Sequence, residues 1–277
     1  MKRLLELLII NPVYPHWLEY RNLFFGQIKL IKLFSGKVLE TGCGSDPKKK
    51  LALEINPKIT SYLATDASAW DEEFKEHARL SRSLGFITEL LYGKAKDKNE
   101  IDVICDALSL PFEDGSFDTY YCSGVLEHVS DLEQFFKEAH RVLKIGGHIY
   151  SASPFMYREH GTPEKDYWRI AKGGFYELAR TYGFKIEFIY ANAFLGSTIA
   201  SAINGYVIRK IFEGNIATKI LMFILSPFIF LSTNLCGYLL DHIDKDDRFS
   251  PTYYVSMKKL KSKTRSNSRK GSRSKTK

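Results

Sequence analysis

Glu40, Gly42 and Gly44 alternate in the stretch Val38-Leu39-Glu40-Thr41-Gly42-Cys43-Gly44-Ser45-Asp46-Pro47, directly after a short apolar run. Two glycines remove the Cβ atoms that would keep a ligand off the backbone. A carboxylate beside such a turn attracts a cation and repels phosphate. The dinucleotide fingerprint requires a third glycine where Pro47 stands, so the expected ligand is a nucleoside bearing positive charge rather than a pyrophosphate. Asp66 lies 22 residues past Gly44, close to the ~20 at which a ribose-binding acid is expected, and one carboxylate can accept from two hydroxyls. Asp106 is placed to accept from an adenine amino group. A second group of reactive side chains follows Ser151-Ala152-Ser153-Pro154-Phe155: Tyr157, Arg158, His160, Pro163, Asp166, Tyr167, Trp168 and Arg169. Imidazole titrates near neutrality, which makes His160 the first candidate base and His128, next to Glu127, the second. Asp166 is a third catalytic candidate, with a loop-ordering ion pair to Arg169 as its alternative role. Tyr167 and Trp168 are read as stacking on a sugar or burying the loop.

These residues need rigid elements to hold them. Lys37 to Leu39 reads as a buried strand ending at Glu40; Ser61 to Asp66 and Ile101 to Asp106 read as strands that end on acids. A further strand ends near Cys122-Ser123-Gly124, Phe184 to Tyr190 reads as strand six, and Thr252 to Met257 as strand seven. One acid at a strand end is ordinarily a solvated loop residue. Several strand ends in order, three acidic and one glycine-rich, point jointly to a nucleoside pocket on an α/β sheet.

Between Val38 and Phe188 the chain resembles the class I S-adenosylmethionine-dependent methyltransferases, specifically the subgroup with E-x-G-C-G, L-P-F-x-D-x-S-F-D and L-E-H-V blocks. Those blocks stand as Glu40 to Gly44, Leu110 to Asp118 and Leu126-Glu127-His128-Val129, followed by Glu138 to Gly147 as the helix and glycine turn before a fifth strand. The resemblance implies a Rossmann-like, doubly wound sheet of seven mostly parallel strands with the last antiparallel. It also implies S-adenosyl-L-methionine as cofactor, with contacts at Glu40, Gly42, Gly44, Asp66, Asp106 and Ala107. The loop from Pro154 to Arg169 resembles the P-F, H-x-x-P and D-Y-W-R stretch of methyltransferases of surface-glycan biosynthesis.

About sixty residues separate strands six and seven. Ile220 to Leu240 is uncharged, interrupted by Pro227, and as a straight helix would reach about 30 Å. Strands six and seven must pair in one sheet, so the segment has to return to the side it leaves. It is expected as a re-entrant or in-plane segment broken near Pro227, or as a hairpin with Leu195 to Ile208; the hairpin would carry Arg209, Lys210 and Glu213, which is costly in lipid. A membrane-surface arrangement is preferred, with a lid or a dimer interface as the alternatives.

The 277 residues are 44% apolar, enough for one domain of this kind with additions. The division expected is a helical lead-in at 1–36, a core at 37–193, an apolar insert at 194–250, a last strand at 251–258 and a disordered basic tail at 259–277. Lys258 to Lys277 hold ten of the Lys and Arg residues and no acid, so the formal charge of +8 belongs to the tail and the rest is close to neutral. Such a tail solubilises, attracts anionic lipid, or contacts nucleic acid without specificity. Met1 to Leu5 begins like a signal peptide, but Glu6 interrupts it and Asn11-Pro12 follows; it reads as a helix packed on the domain. Cys43, Cys105, Cys122 and Cys236 show neither C-x-x-C pairing nor zinc spacing, so they read as thiols in a reducing, cytoplasmic compartment with no metal expected.

The expected activity is methylation of a hydroxyl on a small-molecule, glycan or lipid-linked acceptor at the cytoplasmic membrane face. Two alternatives differ in class: a noncatalytic scaffold that keeps the cofactor fold, and an RNA methyltransferase guided by the tail. Cys122-Ser123-Gly124 stands where amino-methylating nucleic-acid enzymes carry Asn or Asp before Pro-Pro-aromatic, and no cysteine follows a proline, which makes nucleic acid the weaker partner.

Overall fold

The computed structural model describes residues 11–44, 48–67, 101–161 and 163–261. The expected helix at 1–10, the tail from 262 onward and Ser45 to Pro47 of the glycine turn lie outside the described residues. Helix α1 spans Trp17–Ile31, followed by β1 (Gly36–Thr41), α2 (Lys49–Ile55), β2 (Ile59–Asp66), β3 (Val103–Ile104) and β4 (Phe117–Ser123). Then come α3 (Leu132–Val142), β5 (Leu143–Pro154), α4 (Lys172–Thr181), β6 (Phe184–Ala191), α5 (Leu195–Glu213), α6 (Ile216–Ile243) and β7 (Thr252–Lys259).

The seven strands form one sheet in the order β3-β2-β1-β4-β5-β7-β6. The first five pair in parallel, and β7 is antiparallel to both β5 and β6, as expected of the methyltransferase fold. Third-strand residues Ile101 to Asp106 are regular only at Val103–Ile104, where the strand forms the sheet edge. Strand β5 begins at Leu143 directly after α3, so the glycine turn expected before it falls inside the strand, with Gly146 at φ 83°. The register between β4 and β5 shifts there.

Alternation along the strands fills both faces. In β7, Tyr253, Val255 and Met257 pack with Phe135, Phe136 and Phe175 of α3 and α4 on one side. Tyr254 points to the other side and joins Leu30 and Ile31 of α1 and Phe34 beyond it with Val38, Tyr62 and Tyr121. Helix α3 starts with Asp131 as its N-cap, the side chain accepting from Gln134 N.

The insert between β6 and β7 is a helical hairpin, the second of the two forms expected; the break expected near Pro227 in the first is absent. Helix α6 runs through Pro227 without interruption for 28 residues, about 42 Å at 1.5 Å per residue. Proline at this position leaves the Phe223 carbonyl without its helical partner. The Ser226 hydroxyl donates to that carbonyl at 2.9 Å and replaces the missing bond. The two helices approach through small residues: a Cβ added at Gly196 would lie 2.2 Å from Gly237 O. Polar side chains fix the crossing, with Asn204 Nδ2 donating to Asn234 Oδ1 at 3.1 Å and Ser197 Oγ to Asp241 at 2.5 Å.

Candidate active site

The strand order reverses between β1 and β4, and a ligand crevice is expected outside the carboxyl ends of the strands at such a point. A cavity of about 430 Å³ lies there. Its floor is the turn after β1 (Glu40, Gly42, Cys43, Gly44) and the end of β4 (Ser123, Gly124); its roof is formed by Glu19, Asn22 and Gln27 of α1 with Ser197 and Ser201 of α5. Gly42 and Gly44 have φ of 64° and 58°, in the left-handed region where a side chain is strained. A Cβ at Gly42 would meet Val125 Cγ2 at 2.4 Å, whereas one at Gly44 would project into open space. The first glycine is needed for packing and the second leaves room for a ligand.

Glu40 is 4% exposed and lines the cavity. Its Oε2 accepts from the Tyr62 hydroxyl at 3.0 Å and from Lys48 N at 2.9 Å, which fixes the carboxylate at the cavity wall. Asp66, at the end of β2, accepts from Gly44 N at 2.7 Å and so sets the shape of the turn. Asp106 Oδ1 accepts from Leu108 N at 2.9 Å in the connection after β3. Among the described residues, Asp66, Asp106 and Ala107 do not line the cavity itself; they sit at neighbouring strand ends. Burial together with the Glu40 and Asp66 charges pushes the Cys43 thiol up to about 12, and burial does the same to Cys122, so neither is a nucleophile near neutrality. These features fit a cation-bearing nucleoside: a strand-end carboxylate held at the wall, a turn open to backbone contact, and acids at the next two strand ends.

The same cavity meets a cluster of titratable groups. Glu127, His128 and the loop after β5 meet there, and Glu127, Tyr157 and His160 reach the lining. Glu127 is 2% exposed, and burial raises its carboxyl to about 7, against the opposing effects of its own backbone N–H, His128 and Arg169. His160 Nε2 lies 3.8 Å from Glu127 Oε1. Burial lowers the His160 pKa, the Asp166 charge opposes that shift, and His128 and Arg169 add to it. Asp166 accepts two bonds from Arg169, at 2.6 and 2.7 Å, and one from His160 N at 2.9 Å. The Arg169 pair, against the cost of burial, holds Asp166 down at about 2. Asp166 is therefore a positioning residue that orders the loop and seats His160. His128 also stands outside the lining, its Nδ1 2.7 Å from Lys165 O. Trp168 Nε1 donates to Val129 O and Tyr167 N to Glu127 O, both at 2.7 Å, so these two aromatics fasten the loop to the turn after β4.

Glu127 and Glu19 are the site groups that sequence reasoning did not single out. Glu127 was visible only as part of the L-E-H-V block. Glu19 carries no local signal: it is one acid in a mostly apolar helix, and only tertiary packing brings it to Tyr157 at 2.5 Å and Ser201 at 3.1 Å.

Residues 39–151 match the family described as Methyltransferase domain. A ubiquinone biosynthesis O-methyltransferase of Pseudomonas aeruginosa is 25% identical over 141 residues, 51% of this chain and 50% of that protein. The mitochondrial 2-methoxy-6-polyprenyl-1,4-benzoquinol methylase of Leishmania donovani is 44% identical over 52 residues, 18% of each chain. The chain thus spans half or less of the length of these curated relatives. Among solved structures, geranyl diphosphate C-methyltransferase of Streptomyces coelicolor aligns at 14% identity with a TM-score of 0.48, covering 85% of this chain and 80% of the other. The chain carries a methyltransferase domain, of the class I fold that uses S-adenosyl-L-methionine.

Proposed function

We propose that this protein transfers a methyl group from S-adenosyl-L-methionine to a hydroxyl of a glycan or lipid-linked acceptor at a membrane surface. The observation that carries the transfer is a single cavity lined both by Glu40 and the glycine turn and by Glu127, Tyr157 and His160. The bound cofactor supplies an electrophilic methyl on a sulfonium. The chain's share of the work is to bind that cation against Glu40, to align the acceptor oxygen, and to exclude water beneath α1 and α5. A hydroxyl acceptor also sheds a proton. Glu127, raised to about 7, and His160, lowered by burial, are both able to take it near neutrality.

The greasy-acceptor part of the reading has two supports. The names of the relatives describe O-methylation in ubiquinone biosynthesis and a polyprenyl-substituted ring. The α5–α6 hairpin turns apolar residues outward beside the cavity roof, a pattern suited to a lipid surface.

Isothermal titration with S-adenosyl-L-methionine tests the cofactor half. Glu40→Ala and Asp66→Ala are each expected to lower affinity at least tenfold, and unchanged affinity in both overturns the reading. Incubation of the protein with labelled cofactor and membrane extract tests the acceptor half. A protein that binds cofactor but labels no glycan or lipid would be a scaffold.

A further inference from the structure

Glu127, His128 and His160 place one donor atom each within 4.8 Å of the other two. Donors about 2.1 Å from a tetrahedral ion lie about 3.4 Å apart, and the separation of 3.8 Å between Glu127 Oε1 and His160 Nε2 is already near that value. Two independent features show a preference for a ligand at this point. Glu127 Oε2 is buried without a hydrogen-bond partner among the described residues, in a side chain that lines the cavity. A buried carboxylate oxygen with no donor is costly, and a cation would offset that cost.

The second feature is the way both imidazoles are held. His128 Nδ1 is 2.7 Å from Lys165 O, a carbonyl that can only accept, so Nδ1 carries the proton and the lone pair is on Nε2. His160 Nδ1 is 3.4 Å from both Asp166 Oδ2 and Arg169 Nη2. The two Nη2 hydrogens of Arg169 are engaged by Arg158 O at 3.0 Å and Asp166 Oδ2 at 2.7 Å. His160 Nδ1 thus sits between the Asp166 carboxylate and the Arg169 guanidinium, and its Nε2 faces Glu127 Oε1 at 3.8 Å. A histidine whose other nitrogen is tied to a backbone carbonyl, as in His128, is a usual setting of a metal-ligating imidazole.

We propose that Glu127, His128 and His160 bind one divalent first-row transition-metal ion, leaving a coordination position open to the cavity. Two imidazoles and a carboxylate suit zinc, iron(II), cobalt(II) or manganese(II) better than calcium or magnesium, which favour all-oxygen sites. The cysteine spacing that argued against a metal has no bearing here, because no donor is a cysteine. The open position fits an oxygen ligand such as the acceptor hydroxyl, whose acidity the ion would raise, the proton leaving to water. In the loaded protein Glu127 and His160 are then ligands and not the base, since the donor atoms that would take the proton are occupied. Binding of the ion itself does not depend on the methyltransferase reading.

The full-length protein, stripped with a chelator and titrated with cobalt(II) chloride, tests this. One equivalent is expected to develop visible d–d absorption, reversed by one equivalent of zinc. Glu127→Gln and His160→Ala should each weaken binding at least tenfold, while His148→Ala, in β5 beside Glu187, leaves it unchanged. Circular dichroism identifies a variant that fails to fold; in that case X-ray absorption of the zinc-loaded wild type replaces it, and two imidazoles in the first coordination sphere support the site. No binding at 100 µM metal, unchanged binding in folded variants, or a sphere with no imidazole overturns it. Cofactor affinity measured with and without metal separates the two readings: loss of metal binding with cofactor binding intact condemns the metal site alone.

Discussion

Glu19 shows how a residue with no sequence signature becomes a structural joint. It sits on α1 but is held by His16 at 3.3 Å, by Tyr157 of the loop after β5 and by Ser201 of α5. Burial alone would raise its pKa; the bonds from His16 and Tyr157 and the charge of Arg158 more than offset this and bring it to about 2, below its ordinary 4.5. A depressed carboxylate stabilises the fold above its unfolded pKa, and the contribution is lost as pH falls through the folded value. Thermal melting of wild type and Glu19→Gln should differ at pH 6, and the gap should close between pH 4.5 and about 2. At the same scale, the glycine turn that lines the cavity is legible because it depends on local chemistry. Glu40, Gly42 and Gly44 are read from type and spacing, and the structure puts all three in the lining. The rest of the lining is legible only in part: His160 stands out as a titratable loop residue, whereas the burial of Glu127 comes from tertiary packing. Asp166 was read in two ways, and its three bonds favour the positioning role.

At the scale of elements, the sheet could be read almost strand for strand, since alternation and strand-end acids are local signals. The α5–α6 hairpin could be read only as the less favoured of two forms. Pro227 was read as a break, and it is accommodated because the preceding Ser226 supplies the bond that proline removes. The buried stripe of α6, Ser226, Phe230, Asn234, Gly237 and Asp241, repeats at helical spacing but is mostly polar or small. Its outward face carries Phe223 at 62%, Phe228 at 73% and Ile243 at 83% exposure. A water-soluble helix has the opposite arrangement. Asn234 is the centre of this stripe, donating to Pro12 O and Tyr14 O at 2.7 and 2.9 Å while accepting from Asn204. Asn234→Ala leaves those groups without partners and should cost ~2–4 kcal/mol, measured by urea unfolding in detergent. A loss under ~0.5 kcal/mol would mean the network contributes nothing net.

For the whole molecule, the location of apolar surface decides more than net charge. Only 22% of the most apolar stretch of α6 is buried, and its exposed face is too large to be scattered surface residues. Because β6 and β7 pair in one sheet, the hairpin leaves and returns on the same side, which favours lying on a bilayer over crossing it once. Flotation with anionic liposomes should carry the wild-type protein upward and leave the double variant Phe223→Glu, Phe228→Glu at the bottom. Equal sedimentation of both would assign the face to self-association, which ultracentrifugation would detect. This arrangement was only half legible in the sequence: length and apolarity were visible, but which side of the helix faces outward is fixed by α1 and α5.

The position of β7 also imposes an order on how the chain assembles. It is the last strand to emerge, yet it occupies an interior slot between β5 and β6. Until Thr252 to Lys259 arrive, those two strands face an open gap, and the apolar hairpin has already left the ribosome. Closure of the sheet must wait for pairing across about a hundred residues from β5, which is entropically slow. The hairpin therefore has time to find its surroundings before the core locks behind it. A lipid surface present during synthesis would act as a folding template, and the same chain made without one would pass through a state that exposes both the gap and the hairpin to aggregation.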